Sequence, residues 1–259
     1  MKIGVLLKRV PDTETRIKIA SDAKSYDRDG VNYIVNPYDE FALEEALQIN
    51  ERTGGGEVVL LSLGTAKTEE ALRTGLAMGA ERAILISDEG LSDPDSLTTA
   101  KCLAAAAKAE NFDLILCGVK AIDTEAGSVG PAVAELLGWP CVSGIVKLEL
   151  SADGKTATVQ RQIEGGAESV EVQLPVVLTA QKGLNTPRYP ALTGIMKAKK
   201  KEIKQLTRGD IGLGDLAPKV VLQALTLPPP RSAGKILPGE PASPQELVRL
   251  LREEAKLIN

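Results

Sequence analysis

Up to about residue 180 the chain alternates short aliphatic runs with longer amphipathic segments, the pattern of strands and helices wound around a parallel sheet. The runs at Ile3 to Leu7, Val58 to Ser62, Ala83 to Ser87, Leu114 to Cys117 and Val176 to Thr179 are brief and almost wholly apolar. Strands covered by helices on both faces have that composition. Between them, Tyr38 to Arg52, Ala66 to Met78, Pro94 to Glu110 and Pro131 to Leu137 carry helical spacing. Thr65 and Asp93 stand where helix N-caps belong, the second just before Pro94 at the favoured first helical position. The expected fold class is α/β, a mostly parallel sheet flanked by helices.

Two stretches depart from this alternation. Thr158 to Leu174 has period-two alternation around Gly165-Gly166, which predicts a β-hairpin appended to the sheet. After Thr179 regularity falls away, through KGLNTPRYPALTGIMKAKKK and a polar stretch into LPPPRSAGKILPGEPASP. This segment reads as an extended arm rather than a second folded domain. It closes on Ser243-Pro244-Gln245-Glu246, a capping box ahead of LVRLLREEAKLI, so a terminal amphipathic helix is expected. Ordering each residue of an irregular arm costs on the order of 1–2 kcal/mol. The arm is therefore expected to lie on a partner, with packing of the terminal helix on its own domain as the alternative.

Composition narrows the chemistry. At 259 residues and 43% hydrophobic content, the chain can build a sizeable core. No apolar run approaches the roughly 20 residues of a membrane span, and Lys8 and Arg9 interrupt the N-terminal run too soon for a signal peptide. A cytoplasmic protein is the expectation. The net charge of −4 argues against general nucleic-acid binding, although KAKKKEIK at 197–204 opposes that sign locally. Cys102, Cys117 and Cys141 form no CxxC pair and read as buried thiols rather than a disulfide or zinc set. The sequence has no histidine, which removes the commonest general base and metal ligand and any Ser-His or Cys-His nucleophile. Self-contained hydrolytic chemistry is not expected.

The candidate chemistry centres on Asp113 to Pro131, DLILCGVKAIDTEAGSVGP, where a strand breaks into small polar residues before a helix. Exposed backbone N–H groups and the positive end of a helix dipole favour a phosphate there. Ser128 and the amides of Gly127 to Gly130 can meet it, and Asp123 or Glu125 can accept from a ribose hydroxyl. Neither GxGxxG nor GxxxxGK[ST] occurs, so a tight connection of small residues is the alternative. Asn36, held extended before Pro37, reads either as a contact to a base or sugar edge or as a plain helix N-cap. Lys8 to Thr13 follows the first strand, where open α/β sheets place ligands, and a solvated turn is equally consistent. Leu192 and Ile195 beside the lysine run form either a docking tip or an ordinary solvated face. Two other function classes fit these residues. One is a nucleotide-hydrolysing or adenylating enzyme with Asp123 and Glu125 on Mg²⁺. The other is a nucleotide-sensing module.

Over essentially its whole length the sequence resembles the β subunit of electron transfer flavoprotein. The most specific match is Val159-x-Arg161-x-x-Glu164-Gly165-Gly166-Ala167-Glu168-x-Val170, followed by Pro175-x-Val177-Leu178-Thr179. VKAIDTEAGSVGP matches the family's adenine-nucleotide loop, VNPYDEFALEEAL its Asn-Pro helix entry, and LNTPRYPALTGIMKAKKK its partner-recognition loop. The resemblance implies a Rossmann-like core of the adenine nucleotide α hydrolase-like type over 1–182, a recognition loop and basic run over 183–204, and an arm over 205–259 whose terminal helix packs on an α subunit. It implies an electron carrier without catalytic residues of its own. Such a carrier takes electrons from acyl-CoA and related dehydrogenases in fatty acid β-oxidation and passes them to the respiratory chain through a quinone oxidoreductase.

In the family, redox FAD is held mainly by the α subunit. The β subunit binds AMP in ordinary carriers and a second FAD in electron-bifurcating members. SVGP is closer to the bifurcating form and LNTPRY to the ordinary one, with AMP the expectation. Carried over by position, the nucleotide contacts are Leu6, Asn36, Pro37, Tyr38, Asp39 and Leu63. The loop adds Gly118, Val119, Lys120, Ala121, Ile122 and Asp123, then Thr124, Glu125, Ala126, Gly127, Ser128 and Val129. Leu192 matches the leucine that anchors dehydrogenases, flanked by Ile195, Lys197, Lys199 and Lys200. No metal is implied.

Overall fold

Each aliphatic run becomes a strand. In the computed structural model, which describes all residues except 92–93, 231–232, 235, 238–243 and 259, β1 (Lys2–Leu6) leads to a small antiparallel ladder of β2 (Arg9–Pro11) and β3 (Tyr33–Val35). Then α1 (Pro37–Arg52), β4 (Glu57–Gly64), α2 (Glu69–Met78), β5 (Arg82–Ser87), α3 (Ser96–Lys108), β6 (Leu114–Gly118) and α4 (Val129–Leu137) alternate. β7 (Cys141–Leu150), β8 (Thr156–Ile163) and β9 (Gly166–Gln173) form an antiparallel meander before β10 (Val176–Ala180). The chain continues through α5 (Leu192–Ala198), β11 (Ile203–Leu206) and α6 (Pro244–Glu253).

All strands except the β2–β3 pair lie in one nine-stranded sheet, in the order β11-β5-β4-β1-β6-β10-β7-β8-β9. Pairing is parallel from β11 to β7 and antiparallel through the last two strands. Side-chain alternation divides the core in two. Ile3, Val5, Val58 and Leu60 face α1 and α2, while Leu6, Val59 and Leu61 face α3 and α4. The chain winds outward from β1 through β4 and β5, then restarts at β6 on the other side. The strand order therefore reverses between β1 and β6, and ligands of such sheets bind at the strand C-termini beside that point.

The segment after Thr179 is more regular than its composition suggests. The tip read as a loop contains α5, and Ile203–Leu206 pairs in parallel with Ala83–Ile86 as an edge strand. β7 and the β2–β3 ladder also escaped the pattern. Thr65 makes no side-chain cap and precedes a single 3₁₀ turn, so its place before a helix did not make it one. Asp93 lies outside the described residues. The cap of α3 is Asp95, which accepts from the Thr98 N–H at 2.7 Å. Asp95 also accepts from the N–H groups of Lys219 (2.6 Å) and Val220 (2.9 Å), tying the root of the arm to α3. The Thr98 bond leads these in holding its carboxyl low, at about 2. Ser243 of the expected capping box lies outside the described residues too, and α6 begins at Pro244.

Candidate functional site

The site is assembled at the C-terminal ends of β1 and β6. Pro37 opens α1 there, and the α1 N-terminus approaches β6 so closely that a Cβ on Gly118 would stand 2.5 Å from Asp39 Oδ1 and 2.6 Å from Tyr38 Cβ. Only glycine permits that approach. Asp39, 5% exposed, uses it to stitch the two strands: Oδ2 accepts from the Lys8 N–H at 2.7 Å and Oδ1 from the Gly118 N–H at 2.9 Å. Burial pushes its carboxyl up to about 7, against the opposing pull of these N–H groups.

Asn36, 1% exposed, does something neither reading of the sequence anticipated. Its side chain neither caps α1 nor points to an open edge. Nδ2 donates to the Lys120 carbonyl at 3.0 Å and Oδ1 accepts from the Ile122 N–H at 3.2 Å, so the amide is consumed in holding the loop. Further on, the loop emerges into solvent, exposed from Asp123 to Ser128. Its two acids are paired: Asp123 with Lys8 at 2.7 Å and Glu125 with Lys120 at 2.8 Å. Glu125 and Gly127 take positive φ, at 52° and 60°. Ser128, just before α4, makes no side-chain cap.

Of the remaining positions, Leu6 is buried on the α3 side, Leu63 is half-buried at the end of β4, and Tyr38 lies 5.9 Å under the Lys120 ammonium. Gly118, Val119, Lys120, Ala121 and Ile122 are partly buried, and Thr124 and Ala126 are exposed. Leu6, Asn36, Asp39, Leu63 and the loop thus stand at neighbouring strand ends, and Lys8, in the stretch that the sequence offered as a ligand position or a solvated turn, is tied to the loop through Asp123. Among the described residues no three His, Cys, Asp or Glu side chains are placed to hold a metal. With Asp123 and Glu125 each bound to a lysine, the Mg²⁺ reading has no support in the geometry. A groove of about 610 Å³ between α3 and residues 204–213 lies away from these strand ends.

The tip that carries Leu192 is separate. Leu192 is 74% exposed, with Tyr189, Ile195 and Met196 also at the surface and Lys197, Lys199 and Lys200 around them. It stands on a chain segment fastened to α1. Arg188 reaches Glu44 at 2.8 Å and Glu51 at 2.6 Å, and Asn185 donates to the Phe41 carbonyl at 2.9 Å. Burial opposes ionisation of Glu44, but Arg188 and Gln48 outweigh it and keep the carboxyl below its ordinary range.

Residues 24–211 match the model of the electron transfer flavoprotein domain. The chain is 46% identical to electron transfer flavoprotein subunit beta of Bacillus subtilis, with both chains covered in full. It is 40% identical to the mitochondrial subunit beta of Arabidopsis thaliana, again with both chains fully covered. With the Mus musculus subunit beta it shares 37% identity, over 98% of this chain and 97% of that one.

Proposed function

Because the chain belongs to the electron transfer flavoprotein family, as a β subunit, we propose that it pairs with an α subunit to form a mobile carrier that takes electrons from acyl-CoA and related dehydrogenases. The carrier delivers them to a quinone oxidoreductase. FAD held mainly by the α subunit supplies the redox chemistry. This chain's residues bind, position and dock.

Its own nucleotide is AMP, seated at the reversal of strand order between β1 and β6. The residues there fit such a ligand: the N-terminus of α4 and the exposed Ser128 hydroxyl suit a phosphate, and the exposed carboxylates of Asp123 and Glu125 suit sugar hydroxyls. Asn36 and Asp39 act behind the loop, fixing its shape rather than touching the base. The lack of histidine, the commonest general base, is consistent with a ligand that is held and not transformed.

The observation that carries the function is the exposed Leu192 tip. A large apolar side chain rimmed by Lys197, Lys199 and Lys200 suits an apolar pocket bordered by acids on a dehydrogenase. The lysines act mainly on association rate and salt dependence, because screening sets in over about 8 Å at physiological ionic strength. Leu192→Ala is expected to weaken docking by about 2 kcal/mol, roughly thirtyfold, with flavin content intact. Stopped-flow reduction of the heterodimer by a reduced dehydrogenase measures this. Unchanged kinetics would remove Leu192 from the docking surface.

A further inference from the structure

Seven residues are too few to hold an α-helix in water, yet α5 carries the docking leucine. The helix is held from one side by α2. Ala198 is 2% exposed within the core, and a Cβ on Gly194 would collide with the Ala77 carbonyl oxygen, so the two helices meet backbone to backbone. β11 follows at once, and the Ala83 N–H donates to the Glu202 carbonyl at 3.0 Å.

The contact is closed by two cations that exchange helices. Arg73, on α2, donates through Nη1 to the carbonyls of Ala198 and Lys201, each at 2.6 Å, capping the C-terminal end of α5. Lys201, just beyond α5, donates to the carbonyls of Leu76 (3.1 Å), Gly79 (3.5 Å) and Ala80, capping the C-terminal end of α2. Helix C-termini present unpaired carbonyls and the negative end of the dipole, so each cation meets the charge and the acceptors it requires. Burial lowers the Lys201 pKa below the ordinary lysine range, whereas Lys197, Lys199 and Lys200 stay exposed. The lysine run therefore divides into a solvated rim and one structural member.

We propose that Arg73 and Lys201 are positioning residues for partner docking, locking α5 onto α2 so that Leu192 is presented on a preformed helix. The proposal rests on the docking function of Leu192 given above. If α5 had to order during the encounter, each residue would cost about 1–2 kcal/mol of backbone freedom, taken from the affinity. The lock bears only on association with the partner, because neither cation lies at the nucleotide loop.

The test uses the intact heterodimer as the varied electron acceptor of a short-chain acyl-CoA dehydrogenase turning over butyryl-CoA. Arg73→Met and Lys201→Met should each raise KM for the flavoprotein about tenfold, as expected for lost hydrogen bonds to a charged group, with kcat and bound flavin unchanged. Amide hydrogen exchange over 192–198 should quicken in the same variants. Arg73→Lys, which keeps the cation, should recover most of the wild-type KM. An unchanged KM in both Met variants, alongside a raised KM for Leu192→Ala, would overturn the lock while leaving the docking surface in place. A loss of kcat or flavin in the Met variants would mark the pair as merely structural and overturn it as well. A silent Leu192→Ala would instead remove the docking reading itself.

Discussion

Cutting the chain after Ala217 is expected to leave a folded α/β domain that no longer assembles with an α subunit. Every strand of the sheet is complete by Leu206, and Leu213 and Leu216 still pack against the α3–α4 side of the core. Among the described residues, the removed segment ties to the domain through the Lys219 and Val220 bonds to Asp95 and the Leu225 N–H bond to the Ala23 carbonyl, none of them in the sheet or its two core clusters. What the removed segment does carry is apolar surface turned to water, with Val220 70%, Val221 68% and Leu227 61% exposed. Under the proposed function the α subunit covers this surface. The position of the cut decides the experiment, because one after Arg188 would also remove α5 and β11 and strip the edge of β5. Size exclusion of the truncated chain mixed with an α subunit should show two separate species, with circular dichroism still that of an α/β domain. A normal heterodimer peak would show that the arm is dispensable.

Asp39→Ala is expected to cost roughly 2–6 kcal/mol, because the N–H groups of Lys8 and Gly118 each lose a buried acceptor at about 1–3 kcal/mol. That is a large share of the about 5–15 kcal/mol by which domains are usually stable, and the nucleotide should leave with the loop. Denaturant unfolding and nucleotide content report the two effects, and a stability within 1 kcal/mol of wild type, roughly, would show that the stitch is not needed. The same carboxyl has a pH signature. Its pKa is raised to about 7, so over the window from the ordinary value of 3.8 the folded domain keeps a proton that the unfolded chain has released. Stability from this group therefore falls as pH rises through that window, by at most about 1.4 kcal/mol per pH unit, and is level above it. Asp39→Asn lacks the titration. The stability of wild type minus that of Asp39→Asn should shrink between about pH 5 and pH 7, and a difference constant across that range would contradict the raised value.

The sequence makes legible whatever rests on local pattern. Aliphatic runs covered on both faces read as strands without ambiguity, and the Gly165-Gly166 turn announced β8 and β9. β11 hid because an edge strand of four residues, with two exposed side chains, has the composition of the basic run around it. The strand, loop and helix start at 113–131 were readable, whereas the support of the loop was not. Asn36 and Asp39 reach partners 79 to 86 residues away, and an Asn just before Pro at a helix start signals a local cap far more strongly than a distant brace. Arg188 with Glu44, 144 residues apart, and the exchange between Arg73 and Lys201 belong to the same class. Long-range partners of charged residues leave no periodic trace. A lysine run looks solvated until the fold brings one of its members to a helix end.

The claim that this chain serves a single-flavin carrier, with a nucleotide held rather than reacted, is tested most directly by composition. The heterodimer, purified with its α subunit and denatured, is resolved for released FAD and AMP and quantified per complex. One FAD and one AMP is the predicted result. Two FAD and no AMP would place a flavin against the loop at Gly118 to Val129, and this subunit would then lie on the electron path itself.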